Sequence, residues 1–285
     1  MSTVAAATRR PATPFRVLQY VMMAAVLAVS VGPLLWVVLN AIRPDSEIAA
    51  YPPSFVPKEV TLEHFVALFT VYRFGPYIVN SLVISLVATA GVLVVASLSA
   101  YAMARFDYRL IRAIGELSLL AYLVPPIVVL VPVTQLLFGA GLGDNRAALT
   151  LLYVAILLPF GLWILRSYFQ GFTVDIEEAA MIDGCTRFQA FIRVVLPQAR
   201  PGLISTGIFT FNAAWSEYLF ASTLMTTNAK LPANPAIFLL MGHMGVTSWG
   251  VLMAAALTIV APVVVLFIIS QRWLVAGLGE GAVKG

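Results

Sequence analysis

Six apolar runs, each about as long as a bilayer-crossing helix, alternate with shorter polar segments along the 285-residue chain. They cover residues 17–39, 77–103, 113–136, 147–165, 203–226 and 251–273. The first is longer than the core of a signal peptide, so it is expected to remain as the first helix. The pattern predicts an all-α, polytopic membrane protein. A polar lead of residues 1–16 precedes a six-helix transmembrane domain over residues 17–274, and residues 275–285 form a tail. Six crossings place both termini on one side.

Two polar segments carry structure of their own. Between residues 41 and 76, Pro44, Pro52, Pro53 and Pro57 impose extended backbone before Thr61 opens a short helix. Leu62, Phe65, Val66 and Phe69 form one stripe on it, as suits a segment lying on a membrane surface or against its neighbours. The second segment, residues 169–200, reads as a helix-turn-helix. Asp175 followed three residues later by Glu178 marks a helix start, and Gly184 supplies the left-handed stop. Thr186 and Gln189 have capping-box spacing, and Phe188, Phe191, Ile192 and Val195 recur with helical period. Leu196-Pro197 and Pro201 are expected to end this helix. The first helix would present the small side chains of Ala179 and Ala180, which lets another protein surface approach closely.

Composition narrows the function classes. The chain is 61% hydrophobic and 11% charged, with a mean hydropathy of +0.94, far from soluble globular usage. The net charge of +4 does not imply nucleic-acid binding, because the placement of the charges is what carries information. Twelve Lys and Arg residues fall on the side of the termini and of residues 169–200, against five on the other: Arg43, Lys58, Arg73, Arg146 and Lys230. This excess predicts cytoplasmic termini and a cytoplasmic 169–200 loop. The single cysteine, Cys185, excludes an internal disulfide, and the separated His64 and His243 are expected as ordinary loop residues rather than zinc ligands. No internal repeat of the kind found in many secondary carriers is visible.

Chemistry is concentrated in the fifth run, at Phe211-Asn212-Ala213-Ala214-Trp215-Ser216-Glu217-Tyr218. Thr206, Thr210 and Glu217 fall near one face of a helix, with Asn212 and Ser216 in an adjacent row. An ionised carboxylate at this depth costs about 2.5–3.5 kcal/mol on insertion scales, so Glu217 needs a cavity, a partner or a proton. Lining a pathway, bonding two subunits together and carrying a proton in a secondary carrier are all open to it. Prolines at 125, 126, 132, 159 and 262 fall within the apolar runs, which suits a gated pathway and equally the general frequency of proline in membrane helices. No G-x-x-x-x-G-K-S/T phosphate loop is present, since Lys58, Lys230 and Lys284 follow Pro57, Ala229 and Val283. The chain therefore cannot hold ATP by that motif. It also lacks the G-x-S-x-G and H-E-x-x-H motifs on which a membrane hydrolase reading would rest.

The 169–200 loop resembles the signature of ABC importer membrane subunits: E-A-A, three residues, G, nine residues, a branched aliphatic, one residue, L-P. Here it reads Glu178-Ala179-Ala180, Asp183-Gly184, Val194 and Leu196-Pro197, with valine where isoleucine is commoner and Cys185 where alanine is commoner. Trp215-Ser216-Glu217-Tyr218 is similar to the W-N/S-E-F/Y segment of the carbohydrate-type permeases. The end of the chain, Gln271-Arg272-Trp273 through Gly281-Ala282-Val283-Lys284-Gly285, resembles the tail of maltose-type subunits. The resemblance implies a non-catalytic permease subunit in the cytoplasmic membrane. Its partners would be a homologous second permease, two ATPase subunits that bind the ATP and Mg, and an extracytoplasmic binding protein. The cargo would be a sugar, polyol or glycerol phosphate. It further implies that residues 178–184 and 194–197 dock on an ATPase, that Asn212, Trp215, Ser216 and Glu217 line the pathway or a subunit interface, and that the tail with Gly281 and Lys284 reaches the ATPases.

Overall fold

The computed structural model describes residues 13–242 and 248–282, with side chains over residues 16–111, 113–241 and 248–271. His243 and Lys284 lie outside the described residues, and for Gly281 only the helical backbone is described. Regular structure among the described residues is helical throughout: α1 (Thr13–Ala41), α2 (Asp45–Ile48), α3 (Glu63–Thr70), α4 (Gly75–Arg105), α5 (Arg109–Tyr122), α6 (Pro126–Gly139), α7 (Arg146–Gln170), α8 (Asp175–Ile182), α9 (Arg187–Ala190), a π-helical turn (Phe191–Val195), α10 (Leu196–Gln198), α11 (Arg200–Trp215), α12 (Leu219–Leu224), α13 (Ala233–Gly242) and α14 (Trp249–Ala282).

Four helices are long and apolar enough to cross a membrane unbroken, within α1, α4, α7 and α14. The third predicted span is instead two helices, α5 and α6, bent by 105°. Pro125 and Pro126 sit at the bend, where neither can continue a helix from the preceding turn. The fifth predicted span is also interrupted, because α11 stops at Trp215 and α12 starts at Leu219, with three residues between them.

The chain forms two compact units. In one, comprising residues 1–71 and 246–257, α1 shows its apolar side chains outward along most of its length, which suits a lipid-facing helix. Below its end Arg43 is 1% exposed; Nη1 donates to Ser54 O at 2.8 Å and the guanidinium lies 5.3 Å from the Trp36 ring. His64 is not a loop residue as expected. It is buried on α3, with Nε2 2.8 Å from Arg43 O and with Gly250 so close that a Cβ there would meet the imidazole at 2.1 Å. The predicted stripe is partly turned outward: Leu62, Val66 and Phe69 are exposed, while His64 and Leu68 pack inward.

In the other unit, residues 72–245 and 258–285, α4, α7 and α11 form the core. Val92, Ala96 and Ala100 of α4 face Leu162, Leu165 and Phe169 of α7. Small residues permit this approach, as membrane helices gain little from apolar burial and rely on close contact. At Gly161 a Cβ would come within 2.9 Å of Val92, and at Gly202 within 2.6 Å of the Tyr168 ring.

At one end of this unit Asp144 closes the turn between α6 and α7. Its carboxylate accepts from Lys230 Nζ at 2.8 Å, from Thr227 Oγ1 at 2.7 Å, and from the backbone N–H groups of Thr226 and Thr227 at 3.0 Å each. The Lys230 ammonium first, and then these donors, hold its pKa well below the usual carboxylate range. A depressed carboxylate adds stability at pH above its unfolded value, about 3.9, and loses it as pH falls below that toward the folded value. Asp144→Asn is expected to lower the melting temperature at neutral pH, with the difference from wild type shrinking below about pH 4. Melting curves of both proteins between those limits check this.

Candidate functional site

The loop between α7 and α11 folds as the knuckle the capping signals foretell, with two amendments. Gly184 has φ +91°, a left-handed conformation that an L side chain rarely adopts. Beyond it the capping box is complete: Thr186 Oγ1 accepts from Gln189 N at 3.3 Å and Gln189 Oε1 accepts from Thr186 N at 2.9 Å. The first amendment concerns the start of α8, whose N-cap is Val174 without a side-chain cap. Asp175 and Glu178 act there as first-turn acids, favoured by the helix dipole. The second concerns Leu196-Pro197 and Pro201, which do not end the helical path. Five π-helical residues precede Leu196, and both prolines sit in first-turn positions of α10 and α11, where their missing N–H costs nothing.

On this knuckle Glu178, Ala179, Asp183 and Gly184 are exposed, and Ala180, Val194, Leu196 and Pro197 are half-buried. Ile182 at 86% and Phe188 at 63% exposure flank the turn. The neighbouring carboxylate is turned the other way. Glu177 is 3% exposed, and its Oε1 accepts from Arg105 Nε at 2.5 Å while Oε2 accepts from the Tyr101 hydroxyl at 2.7 Å. The same guanidinium donates to Phe169 O at 3.1 Å and Phe172 O at 3.3 Å. Sequence reading missed Glu177, Tyr101 and Arg105. The available signals were the doublet Glu177-Glu178, whose members must point about 100° apart on a helix, and the i, i+4 pair Tyr101/Arg105 on one face of the end of α4.

A second polar group lies where α11 breaks. Glu217 is half-buried and its carboxylate is fully engaged within this chain: Tyr153 donates its hydroxyl to Oε2 at 2.5 Å, and the first-turn amides of α12, Phe220 N and Ala221 N, donate at 2.9 and 3.1 Å. It thereby caps α12, where unpaired amides and the dipole favour a negative charge. Thr206 and Thr210, expected on the same face as Glu217, are instead fully buried in the core with hydroxyls that have no hydrogen-bond partner among the described residues. Asn212 and Ser216 are exposed. They border a cavity of about 480 Å³ with Trp215, Tyr218, Asn234 and Phe238. Trp215 is held by Nε1–H donation to Ile259 O at 3.0 Å, and Asn234 donates to Trp215 O at 2.6 Å. Tyr218 and Phe238 have ring centroids 5.3 Å apart. The cavity thus offers amides, two hydroxyls and aromatic faces together. Among the described residues no cluster of histidine, cysteine and carboxylates could hold a metal ion.

Residues 93–280 match the family described as binding-protein-dependent transport system inner membrane component. The inner membrane ABC transporter permease protein YcjP of Escherichia coli is 33% identical over 271 residues, covering 93% of this chain and 95% of that protein. The diacetylchitobiose uptake system permease protein DasC of Streptomyces coelicolor is 34% identical, covering 90% and 92%. The trehalose/maltose transport system permease protein MalG of Thermococcus litoralis is 33% identical, covering 89% and 91%. Among solved structures, a bacterial ABC transporter involved in the import of the acidic polysaccharide alginate shares the fold, with a TM-score of 0.80 at 16% identity over 96% of this chain and 100% of that one. With its membrane-length helices and its exposed knuckle, the chain belongs to the binding-protein-dependent transport system inner membrane components, the permease subunits of ABC transporters.

Proposed function

We propose that this chain is one of two membrane subunits of an ATP-driven importer of a sugar or a related polyol or glycerol phosphate. The observation that carries the reading is the knuckle: Glu178, Ala179 and Ile182 stand exposed at a glycine-terminated turn, while Glu177 is anchored inward. Two ATPase subunits, which bind ATP and Mg, seat on the two permeases' knuckles, and their closure drives alternating access. An extracytoplasmic binding protein delivers the cargo. The sugar class is supported by relatives named for diacetylchitobiose and for trehalose/maltose uptake. It is also supported by the chemistry of the cavity beside Asn212 and Ser216, because sugar hydroxyls pair with amides and sugar rings stack on aromatic faces. The tail beyond residue 274 reaches toward the ATPases. The alternative of a proton-coupled carrier turning on Glu217 has no support, since that carboxylate already serves three donors of its own chain.

The importer reading is tested by co-expressing this chain with its partner subunits and measuring uptake into proteoliposomes. Uptake is expected to require ATP and to stop with vanadate. Uptake that continues with vanadate but collapses with the proton gradient would refute the reading.

Orientation follows the charge count, with the termini and the knuckle in the cytoplasm. In sealed cells a membrane-impermeant maleimide is expected to label a cysteine placed at the exposed Glu59 and to leave the native Cys185 unlabelled. The reverse pattern would invert the topology.

A further inference from the structure

We propose that Arg105 is a positioning residue for energy coupling: with Tyr101 and Glu177 it locks α8 to the ends of α4 and α7, so that a push on the knuckle reaches this helix pair as one rigid body. The proposal rests on the importer reading above. Only residues 171–174 join α7 to α8, and they include Gly171 and the exposed Thr173 and Val174. By itself such a linker would let the knuckle swing. The guanidinium removes that freedom by binding Glu177 of α8 with Nε while its other two nitrogens donate to Phe169 O and Phe172 O, carbonyls at and just beyond the last turn of α7. Tyr101, one turn earlier on α4, adds its hydroxyl to the same carboxylate, and its ring lies 6.2 Å from Phe169 and 4.5 Å from Phe191. Side chains of both charged partners are no more than 5% exposed, so water does not compete for these bonds.

A second route from the knuckle into the membrane runs along the chain through α9 to α11, where Phe191, Val195 and Ala199 are buried in the core with Tyr101 and Phe169. It passes a π-helical turn at Phe191–Val195 and a break at Ala199 between α10 and α11, both places where a helix bends easily. The ionic link from α8 to the ends of α4 and α7 runs through one arginine. Lysine cannot replace it, because a single ammonium does not reproduce the planar fork that reaches a carboxylate and two carbonyls at once.

The test uses the assembled importer in proteoliposomes with Arg105→Lys, Glu177→Gln and Tyr101→Phe, reading uptake per ATP hydrolysed. Spin labels at Leu98→Cys on α4 and Asp175→Cys on α8, both exposed, in a Cys185→Ser background, report the distance across the joint. Arg105→Lys and Glu177→Gln are expected to keep hydrolysing ATP while uptake per ATP falls about tenfold, and Tyr101→Phe to lose about threefold, in line with charged and single hydrogen bonds. The distance distribution should broaden in the same order. Wild-type uptake per ATP in a variant whose distribution has broadened would overturn the proposal. So would failure of Tyr101→Phe to assemble, which would assign the cluster to folding alone. Absence of ATP-dependent uptake in the wild-type complex would instead overturn the importer reading.

Discussion

Gly184→Val is expected to leave ATP hydrolysis running in the assembled importer while transport falls at least about tenfold. No atom lies within 4 Å of where a Cβ would sit, so the substitution meets no steric obstacle. The strain is in the backbone. At φ +91° a β-branched residue is strained by roughly 1–3 kcal/mol, and the turn relieves this by changing conformation. The turn aims the exposed face of α8 relative to the capping-box helix that follows, so its relaxation moves Ala179 and Ile182 away from the surface presented to an ATPase. Gly184→Asn should retain more transport, because asparagine tolerates positive φ better than valine. Uptake and hydrolysis measured side by side check the pair, and unimpaired transport in the valine variant would remove the knuckle from the coupling path.

Glu217→Ala is expected to have the larger effect on the protein itself. It strips the partner from a buried tyrosine hydroxyl and from two first-turn amides of α12 at once, a loss of roughly 2–4 kcal/mol. The break after Trp215 should then loosen, and with it the wall of the cavity beside Asn212 and Ser216. Recovery of folded protein is expected to drop, with a clear fall in melting temperature. Glu217→Gln keeps the shape and one carbonyl acceptor, so its transport should fall only modestly, by the worth of a weakened charged hydrogen bond. Complete loss of accumulation in an intact, ATP-hydrolysing Glu217→Gln complex would contradict the capping role. Such a result would mean that the carboxylate acts on protons or cargo and not on α12.

Much of the knuckle is legible in the sequence. The apolar runs, the stop at Gly184 and the reciprocal bonds of Thr186 and Gln189 are consequences of local rules, in which a residue's neighbours within one or two turns decide its conformation. Pro125 and Pro126 likewise announced an interruption, although not the 105° bend it takes. Continuity past Leu196-Pro197 was not legible, because a π-helical turn shifts the hydrogen-bond register and accommodates a proline that an α-helical pattern would reject.

The sequence by itself determined the helical class, four of the six expected membrane-length segments, the charge asymmetry and the exposed Glu178 and Ala179 beside Gly184. Tertiary structure alone decided what the buried carboxylates do. Glu177 and Glu178 are adjacent and chemically the same, yet one is sealed against α4 and the other exposed, because Arg105 lies 72 residues away and only packing brings it there. Glu217 reads as a polar intruder in an apolar run until Tyr153, 64 residues earlier, and the amides of α12 converge on it. A charge in a low-dielectric interior is defined by its partners, and a linear sequence records the charge without recording which partners the fold brings to it.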